Sequence, residues 1–375
     1  MLKALSLTVM IGPAVLIPAP KVVIDSLTGV QVTNGKQGSG FQLTFAVSKT
    51  SPLLQIMLPA GYFDPIVTRV AIIATVGGIP NVLMDGFVTR QEITPSNEPG
   101  QSTLTITGED LSVAMGLVQK TVPYPAMGLT VQVYALLAPY ALLGIVPIVI
   151  PPFITSESTP TKQWYTQSLQ TDLDYIRNLA SSVGYTFYVD PGPIPGQSTA
   201  YFGPDIHLPV PQPALSIDMD AMTNVESLSF SLDGMAKKIT LFTIMDPETG
   251  RIPIPIPVPN LNLFKPPLGA RPTPPARIEY YNGGAALQPD QAASAILGAL
   301  MNNSDAISGT GTLDVLRYGQ VLRPRMLVGV RGASVGYDGL YYVDSVTHSI
   351  KRGEYKQNFS LSRDGLISNT PVVMP

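Results

Sequence analysis

The chain of 375 residues contains no cysteine and only two histidines, His207 and His348. The first absence excludes disulfide frameworks, thiolate zinc sites and thiol nucleophiles together. The second leaves any metal site to oxygen ligands, and the sequence has no run of spaced carboxylates resembling a calcium loop. Charge is scarce as well: 13% of residues are charged, against roughly 25% in typical soluble domains. A surface so short of charge must be hidden in an assembly or risk precipitation, which points to an obligate oligomer. The net charge of -3 argues against a dedicated nucleic-acid binder. Arg317, Arg323, Arg325 and Arg331 are scattered and lack an aromatic platform on which bases could stack, so no nucleic-acid specificity is expected.

Two apolar stretches are also poor membrane candidates. Met1 to Pro20 is interrupted by Pro13 and is followed by no clear small-residue cleavage site, so it reads as a first strand and no signal peptide is expected. Leu129 to Phe153 is long enough to cross a bilayer as a helix. It carries Pro139, Pro147, Pro151 and Pro152, each of which deletes a hydrogen bond that lipid cannot replace, so no stable membrane span is expected.

What the chain does have is proline, 37 residues or about twice the usual share, and many short segments of period two. Phe41, Leu43, Phe45 and Val47 fall on one face of a strand, as do Leu104 and Ile106 between threonines. Ser227 to Leu232 and Asn358 to Ser362 repeat the alternation of apolar and hydroxyl residues. Two helices interrupt the strands. Thr171 to Val183 (171–183) has apolar residues at helical spacing with Gly184 as a stop signal, and Pro289 to Met301 (289–301) begins with a proline suited to a first turn.

Arg69 to Leu111 and Arg325 to Leu366 follow one plan of three strands around Asp-Gly, matching Asp85-Gly86-Phe87 with Asp338-Gly339-Leu340 and Leu104-Thr105-Ile106 with Phe359-Ser360-Leu361. Either the unit is duplicated or two β-meanders are alike by chance. The expected fold is therefore mainly β with minor α. A first β-barrel occupies 1–111, completed in one arrangement by 200–222, and an inserted α/β domain occupies 112–222. A second barrel occupies 223–375. It is interrupted by the helix at 289–301 and by a proline-rich segment at 246–275 in which Ile252 to Pro259 alternates with proline. Every other donor is missing there, so the segment reads as extended chain, either a linker or an arm laid along a neighbouring subunit.

Motifs with chemistry are few. Gly332-Ala333-Ser334-Val335-Gly336 fits a nucleophile elbow, with Asp338 or Asp344 and His348 following in order. It lies between two strands, where a hairpin loop is the expected structure. Asp218 and Asp220 share a face in an extended segment but have no partner site, so a solvated edge is expected. Trp164, Tyr185, Tyr188 and Tyr201 could line a sugar site, although packing of the insert accounts for them.

Three segments carry a resemblance. Gly311 to Leu366 resembles the end of phage late control D proteins, the baseplate hubs of contractile injection machines. Thr171-Asp172-Leu173, Tyr175-Ile176 and Leu179-Ala180, followed by Gly184 to Pro193, are similar to a segment those proteins carry midway. Ser39 to Phe45 fits their beginning.

The resemblance implies a structural protein rather than an enzyme, with no cofactor or metal. It implies a homotrimer whose subunits each contribute two tail-tube-like barrels, so that a six-fold tail tube is adapted to a three-fold spike around a central channel. Implied partners are the tail-tube protein, a trimeric spike protein and other baseplate components. Longer relatives fuse an OB-fold spike after the hub, so a chain stopping at Pro375 implies a separate spike. Assembly in the cytoplasm into a phage tail or injection particle is expected. The motif residues so implicated are Phe41, Leu43 and Phe45; Asp172, Leu173, Gly184, Tyr185, Phe187, Asp190, Pro191 and Gly192; and Tyr318, Gly319, Asp338, Gly339, Tyr341, His348, Gly353 and Phe359. The alternative is a peripheral β-protein that binds a receptor or carbohydrate.

Overall fold

A computed structural model describes residues 5–13, 15–36, 38–98, 101–125, 127–152, 164–206, 211–245, 253–258, 265–280, 296, 305–370 and 373. The first part of the chain forms β1 (Leu5–Gly12), β2 (Ile17–Pro18), α1 (Lys21–Ser26), β3 (Leu27–Asn34), β4 (Ser39–Val47), β5 (Arg69–Val76), β6 (Ile79–Thr94) and β7 (Ser102–Asp110). The middle forms β8 (Gln119–Pro125), α2 (Leu129–Leu137), β9 (Ile145–Val149), β10 (Trp164–Thr171), α3 (Asp172–Ser182), β11 (Thr186–Pro191) and β12 (Ser198–Gly203). The last part opens with β13 (Pro211–Ser216), β14 (Val225–Leu232), β15 (Lys238–Met245), β16 (Pro253–Val258), β17 (Gly269–Pro272) and β18 (Arg277–Tyr280). It ends with β19 (Ile307–Asp314), α4 (Val315–Tyr318), β20 (Leu327–Arg331), β21 (Gly339–Lys351), β22 (Glu354–Arg363) and β23 (Gly365–Ser368).

Local sequence explains these elements. In β4, Phe41, Leu43, Phe45 and Val47 are buried while Gln42 is exposed, as period two requires. Phe41 lies across β7 at Gly108, where a Cβ would collide with its ring, and Phe230 crosses Gly309 in the same way. The Thr171 hydroxyl accepts from the Asp174 N–H at the start of α3, Asp172 and Asp174 occupy its acidic first turn, and Gly184 follows with φ +71. The helix anticipated at 289–301 lies outside the described residues, apart from Ile296.

The protein is mainly β with short helices, but the expectation of two β-barrels is corrected. Thirteen strands form one sheet in the order β14-β19-β22-β21-β3-β4-β7-β6-β5-β1-β2, with β20 pairing β21 and β13 pairing β20. Among the described residues no sheet closes on itself. The reason lies in the edges: β21 uses Val346–Lys351 to pair antiparallel with Gly29–Asn34 of β3. That ladder engages the backbone groups each repeat would need to shut its own barrel.

The two halves nevertheless repeat one pattern. In the first half the order is β3-β4-β7-β6-β5-β1, and in the second it is β14-β19-β22-β21-β20-β13. Two irregularities recur at equivalent places, although β13 pairs parallel with β20 where β1 pairs antiparallel with β5. Leu27 and Gly29 face Phe45 and Thr44 across a bulge, as Val225 and Ser227 face Leu313 and Thr312. Val88 and Arg90 bulge against Gly108 and Thr107, as Val343 and Ser345 do against Leu361 and Ser360. This register aligns Phe87 with Tyr342 and Ile106 with Phe359, two residues away from the matches read in the sequence. A slip of two keeps every side chain on its own face, so the pattern alone could not detect it.

A hydrophobic core runs under both halves and includes Phe45, Leu43, Val346, Tyr341 and Leu361. The middle segment has a second core, from Leu111, Val133, Ile176, Phe187 and Phe202, joined by Phe87 of β6. The apolar stretch at 129–153 is divided among α2, a short 3₁₀ turn and β9, and among the described residues no helix is long and apolar enough to cross a membrane. The proline-rich segment also departs from expectation. Its Pro253–Val258 portion pairs antiparallel with β15 at the edge of a three-stranded sheet. An edge strand needs only every second N–H, and Ile254 and Ile256 supply those between the prolines.

Phe45 is buried against Phe63, ring centroids 5.5 Å apart. Phe45→Ala is expected to lose about 3–5 kcal/mol in denaturant unfolding, whereas Thr44→Ala, on the opposite face, changes stability by at most about 0.5 kcal/mol.

Candidate functional site: a hydroxyl face, two open edges and a polar seam

The face of the large sheet opposite the core carries serine and threonine. Thr33 and Thr347 hydroxyls meet at 3.2 Å across the β3–β21 ladder. Ser229 meets Thr310 at 2.9 Å, Ser345 meets Ser360 at 2.7 Å, and Thr312 donates to Asn358 at 2.7 Å. Cross-strand pairing satisfies these groups on the face itself, giving a polar surface with little charge.

Among the described residues, the strand edges without a partner include the outer edge of β14, which ends the sheet, and the part of β6 beyond Val88, which pairs with β7 alone; Leu5 to Thr8 of β1 and the outer edge of β13 are open as well.

A minority of the charged side chains lies inside, where the halves and the middle segment meet. Arg325 holds a left-handed backbone, φ +61, a conformation that costs an L-residue about 1 kcal/mol or more. Its side chain explains why that conformation persists. One guanidinium nitrogen donates to both Asp190 oxygens, at 2.7 and 2.6 Å, and another to the Gly35 carbonyl. The plane stacks on Tyr188 with its carbon 3.8 Å from the ring centroid. Burial pushes the Asp190 carboxyl up, and Arg325 offsets part of that rise.

A second tie is bidentate and buried: Arg69 donates to Asp85 at 2.6 and 2.8 Å and to the Gly196 carbonyl at 3.2 Å, while Gly196 N–H donates to Asp85. A third is centred on Asp172, which accepts from Lys120, Tyr140 and Gln167 at 2.6, 2.7 and 2.9 Å. Burial opposes ionisation of Asp172, but these bonds outweigh it and hold the carboxyl below its usual range.

The sequence-predicted residues are distributed among cores, turns and these ties rather than gathered at one point. Phe41, Leu43, Phe45, Tyr341 and Phe359 belong to the main core; Phe187 and Tyr185 belong to the second, with Leu173 packed against it. Pro191 and Gly192 lie at the end of β11, where Gly192 N–H bonds Gln197 O. With Asp190 and His348 they line a cleft of about 460 Å³ between the halves and the middle segment. Tyr318 donates to the Pro213 carbonyl, and Gly319, φ +89, ends α4. Gly353, φ +80, turns the chain between β21 and β22. The residues sequence reasoning missed as a group are Arg69, Asp85, Arg325 and Arg363. Arg363 is buried and donates to the carbonyls of Gly336, Asp338 and Gly365 with its guanidinium over Tyr341.

The elbow pattern forms the loop between β20 and β21. Asp338 accepts from the N–H groups of Ala333 and Ser334, Gly339 adopts φ +117, and Ser334 is exposed. His348 lies in β21, buried, with Nδ1 2.8 Å from the Tyr355 hydroxyl and 3.3 Å from Gln357 Nε2. An amide NH₂ can only donate, so Nδ1 accepts and the ring is neutral; burial pushes its pKa down to about 3. Asp218 and Asp220 are exposed, as expected, but stand in a turn with φ +52 and +48 rather than an extended segment. Tyr188 stacks on Tyr201, and the hydroxyls of Tyr185 and Tyr201 donate to the carbonyls of Pro151 and Pro204. The Trp164 side chain and His207 lie outside the described residues. Among the described residues, no group of three or more histidine, aspartate or glutamate side chains is placed to hold a metal ion.

The same fold occurs in solved structures of tail proteins. A tail protein of Neisseria meningitidis superimposes with a TM-score of 0.60 at 15% identity, over 97% of this chain and 98% of that one. A 43 kDa tail protein of a Shewanella oneidensis prophage gives 0.61 at 13%, over 97% of this chain and 100% of that one. A component of the type VI secretion system of E. coli, itself similar in structure to bacteriophage tail proteins, gives 0.52 at 10%, over 93% of this chain and 77% of that one. No protein-family model matches the chain, and no curated protein matches it in sequence.

Two of the buried ionisable groups can be tested directly. Arg69→Met strands the Asp85 carboxylate and is expected to cost about 3–5 kcal/mol by chemical denaturation, most of which Arg69→Met with Asp85→Leu restores. For His348 the unfolded chain takes up a proton near pH 6.5 that the folded chain refuses until about pH 3. Its contribution is therefore intact above pH 6.5 and is lost as pH falls, at a limiting slope of about 1.4 kcal/mol per unit. His348→Gln is expected to flatten that slope between about pH 4.5 and 6.5 in pH-dependent unfolding.

Proposed function

We propose that this chain is a structural hub of a contractile injection machine. It assembles as a homotrimer around a central channel and adapts a six-fold tail tube to a three-fold spike. The observation that carries this reading is the duplicated half-sheet. Each chain offers two units with one strand order and two bulges at equivalent places, so three chains offer six similar units to a hexameric tube while the whole keeps three-fold symmetry for a spike. The shared fold with phage tail proteins supports the same reading.

The hydroxyl face is the channel wall. Its opposite face is filled by the core, and its serines and threonines bond one another, so the wall offers passing cargo few free donors and little fixed charge. The role is mechanical: pairing between strands carries load along the ring, and tube protein, spike and other baseplate components are its partners. The runner-up, a peripheral carbohydrate-binding protein, has weaker support because the hydroxyls of Tyr185 and Tyr201 are already given to backbone carbonyls.

Light scattering of the purified protein is expected to give three times the 40.0 kDa chain mass, with rings bearing a central hole in negative-stain images. A monodisperse monomer at micromolar concentration, or binding to glycans without co-assembly with tube and spike proteins, would overturn the proposal.

A further inference from the structure

We propose that the cleft between the halves and the middle segment is a binding site for a neutral carboxamide carried on a small apolar body, held by the side chains of Asn34 and His348. Every residue the site uses belongs to one chain, so the proposal does not depend on the ring reading.

Two polar side chains stand where the sheet carries apolar ones. Asn34 ends β3 and His348 lies in β21, both on the face that directs Val32 and Val346 into the core, and both line the cleft. Matching the bulges of the two repeats sets Leu232 on Asn34 and Ile93 on His348. The distribution reverses what burial favours: Leu232 and Ile93 are 40% and 44% exposed, whereas Asn34 and His348 are 8% and 1% exposed. A buried polar side chain is costly unless it is satisfied, and the shared strand order does not call for one at either position.

Each of the two leaves one atom unsatisfied. Asn34 donates to the Leu83 carbonyl at 3.3 Å, but its Oδ1 is buried with no partner among the described residues. His348 supplies the complementary atom. Gln357 accepts from the Leu322 N–H at 3.0 Å and donates to the Leu322 carbonyl at 2.9 Å, which fixes its amide with the NH₂ toward Nδ1. Nδ1 therefore accepts, the ring proton sits on Nε2, and no described residue takes a bond from it.

The spacing of the two atoms selects the ligand. Asn34 faces Val346 and Val32 faces His348, so Asn34 and His348 are diagonal neighbours on one face, about 7–8 Å apart at Cα. An acceptor and a donor so placed match a group that donates from one atom and accepts at another, which is a carboxamide. A carboxylate has no proton for Oδ1, an ammonium has no lone pair for Nε2–H, and a single hydroxyl oxygen would have to lie within reach of both.

The surroundings fit a neutral ligand. Pro80, Leu83, Pro191, Val321 and Met326 give the cleft apolar walls, and its volume of about 460 Å³ lies in the range of small-ligand sites. The charged residues lining it are already engaged: Arg323 donates to Asn81 at 2.9 Å, and Asp190 accepts from Arg325. Gln357 holds Leu322 and Gln212 holds the Arg323 N–H, so little ordering is left for a ligand to impose.

His207 and His348 are the only histidines, so ring nitrogen–proton spectra of histidine-labelled protein hold two sets of signals, assigned with His348→Gln. Benzamide is expected to move the His348 Nε2 signal and leave that of His207 in place, while benzoate and benzyl alcohol, of similar size, move neither. A peptide side chain and a free small amide present the same group, and N-acetylglutamine methylamide separates them. Binding of that compound alone assigns the site to a peptide, and binding of benzamide alone assigns it to a free amide. Asn34→Leu, which removes the acceptor and copies the matched position of the other repeat, is expected to keep its unfolding midpoint and weaken amide binding at least tenfold by calorimetry. Should that variant not fold, the ligand series on the unaltered protein decides. The proposal is overturned if neither amide moves the His348 signal up to its solubility limit, if benzoate or benzyl alcohol moves it equally, or if folded Asn34→Leu binds undiminished. A monomeric protein that binds the amide leaves this site standing while the ring reading falls.

Discussion

The ladder between β3 and β21 is the constraint on which the rest of the molecule depends. Backbone donors and acceptors along a strand must be paired, and here the second repeat satisfies the first. Once that pairing exists, neither repeat can shut on itself and the core becomes continuous beneath both. The polar seam reinforces the same junction: Lys36 reaches Asp344 at 2.7 Å, and Arg325 reaches the Gly35 carbonyl from the other half. The middle segment then docks against a fixed frame through Asp190 and Gly196.

The low charge of the sequence acquires a physical meaning from this arrangement. Several of the few ionised groups lie in the interior, where Arg69, Arg363, Asp85 and Asp172 are buried and fully engaged. Buried pairs of this kind specify which parts meet, because a wrong alignment would leave an ion without water or partner. The exposed sheet face is left to hydroxyls, whose mutual bonds need no counter-charge.

Much of the fold was legible in the sequence because its information is local. Alternation in β4, β7 and β22 marked the buried faces, and the cap at Thr171 and stop at Gly184 bounded α3 within a residue. What escaped was the choice of partner for each edge. Period two says which side of a strand is apolar and nothing about which strand lies beside it, so two barrels and one open sheet read alike. The same limit hid the edge role of β16, whose prolines spoil only one of its two sides. Arg325 was invisible for a different reason: its partners are Asp190 and Gly35, 135 and 290 residues away in sequence, and nothing nearby marks its left-handed backbone.

The paired bulges carry one further consequence. A bulge bends its strand and sharpens the local twist, and this sheet bends at corresponding points in each repeat, Val88 and Val343 on one strand type, Leu27 and Val225 on the other. The second repeat therefore turns where the first does, and the apolar residues of β4 and β22 stay directed into one core.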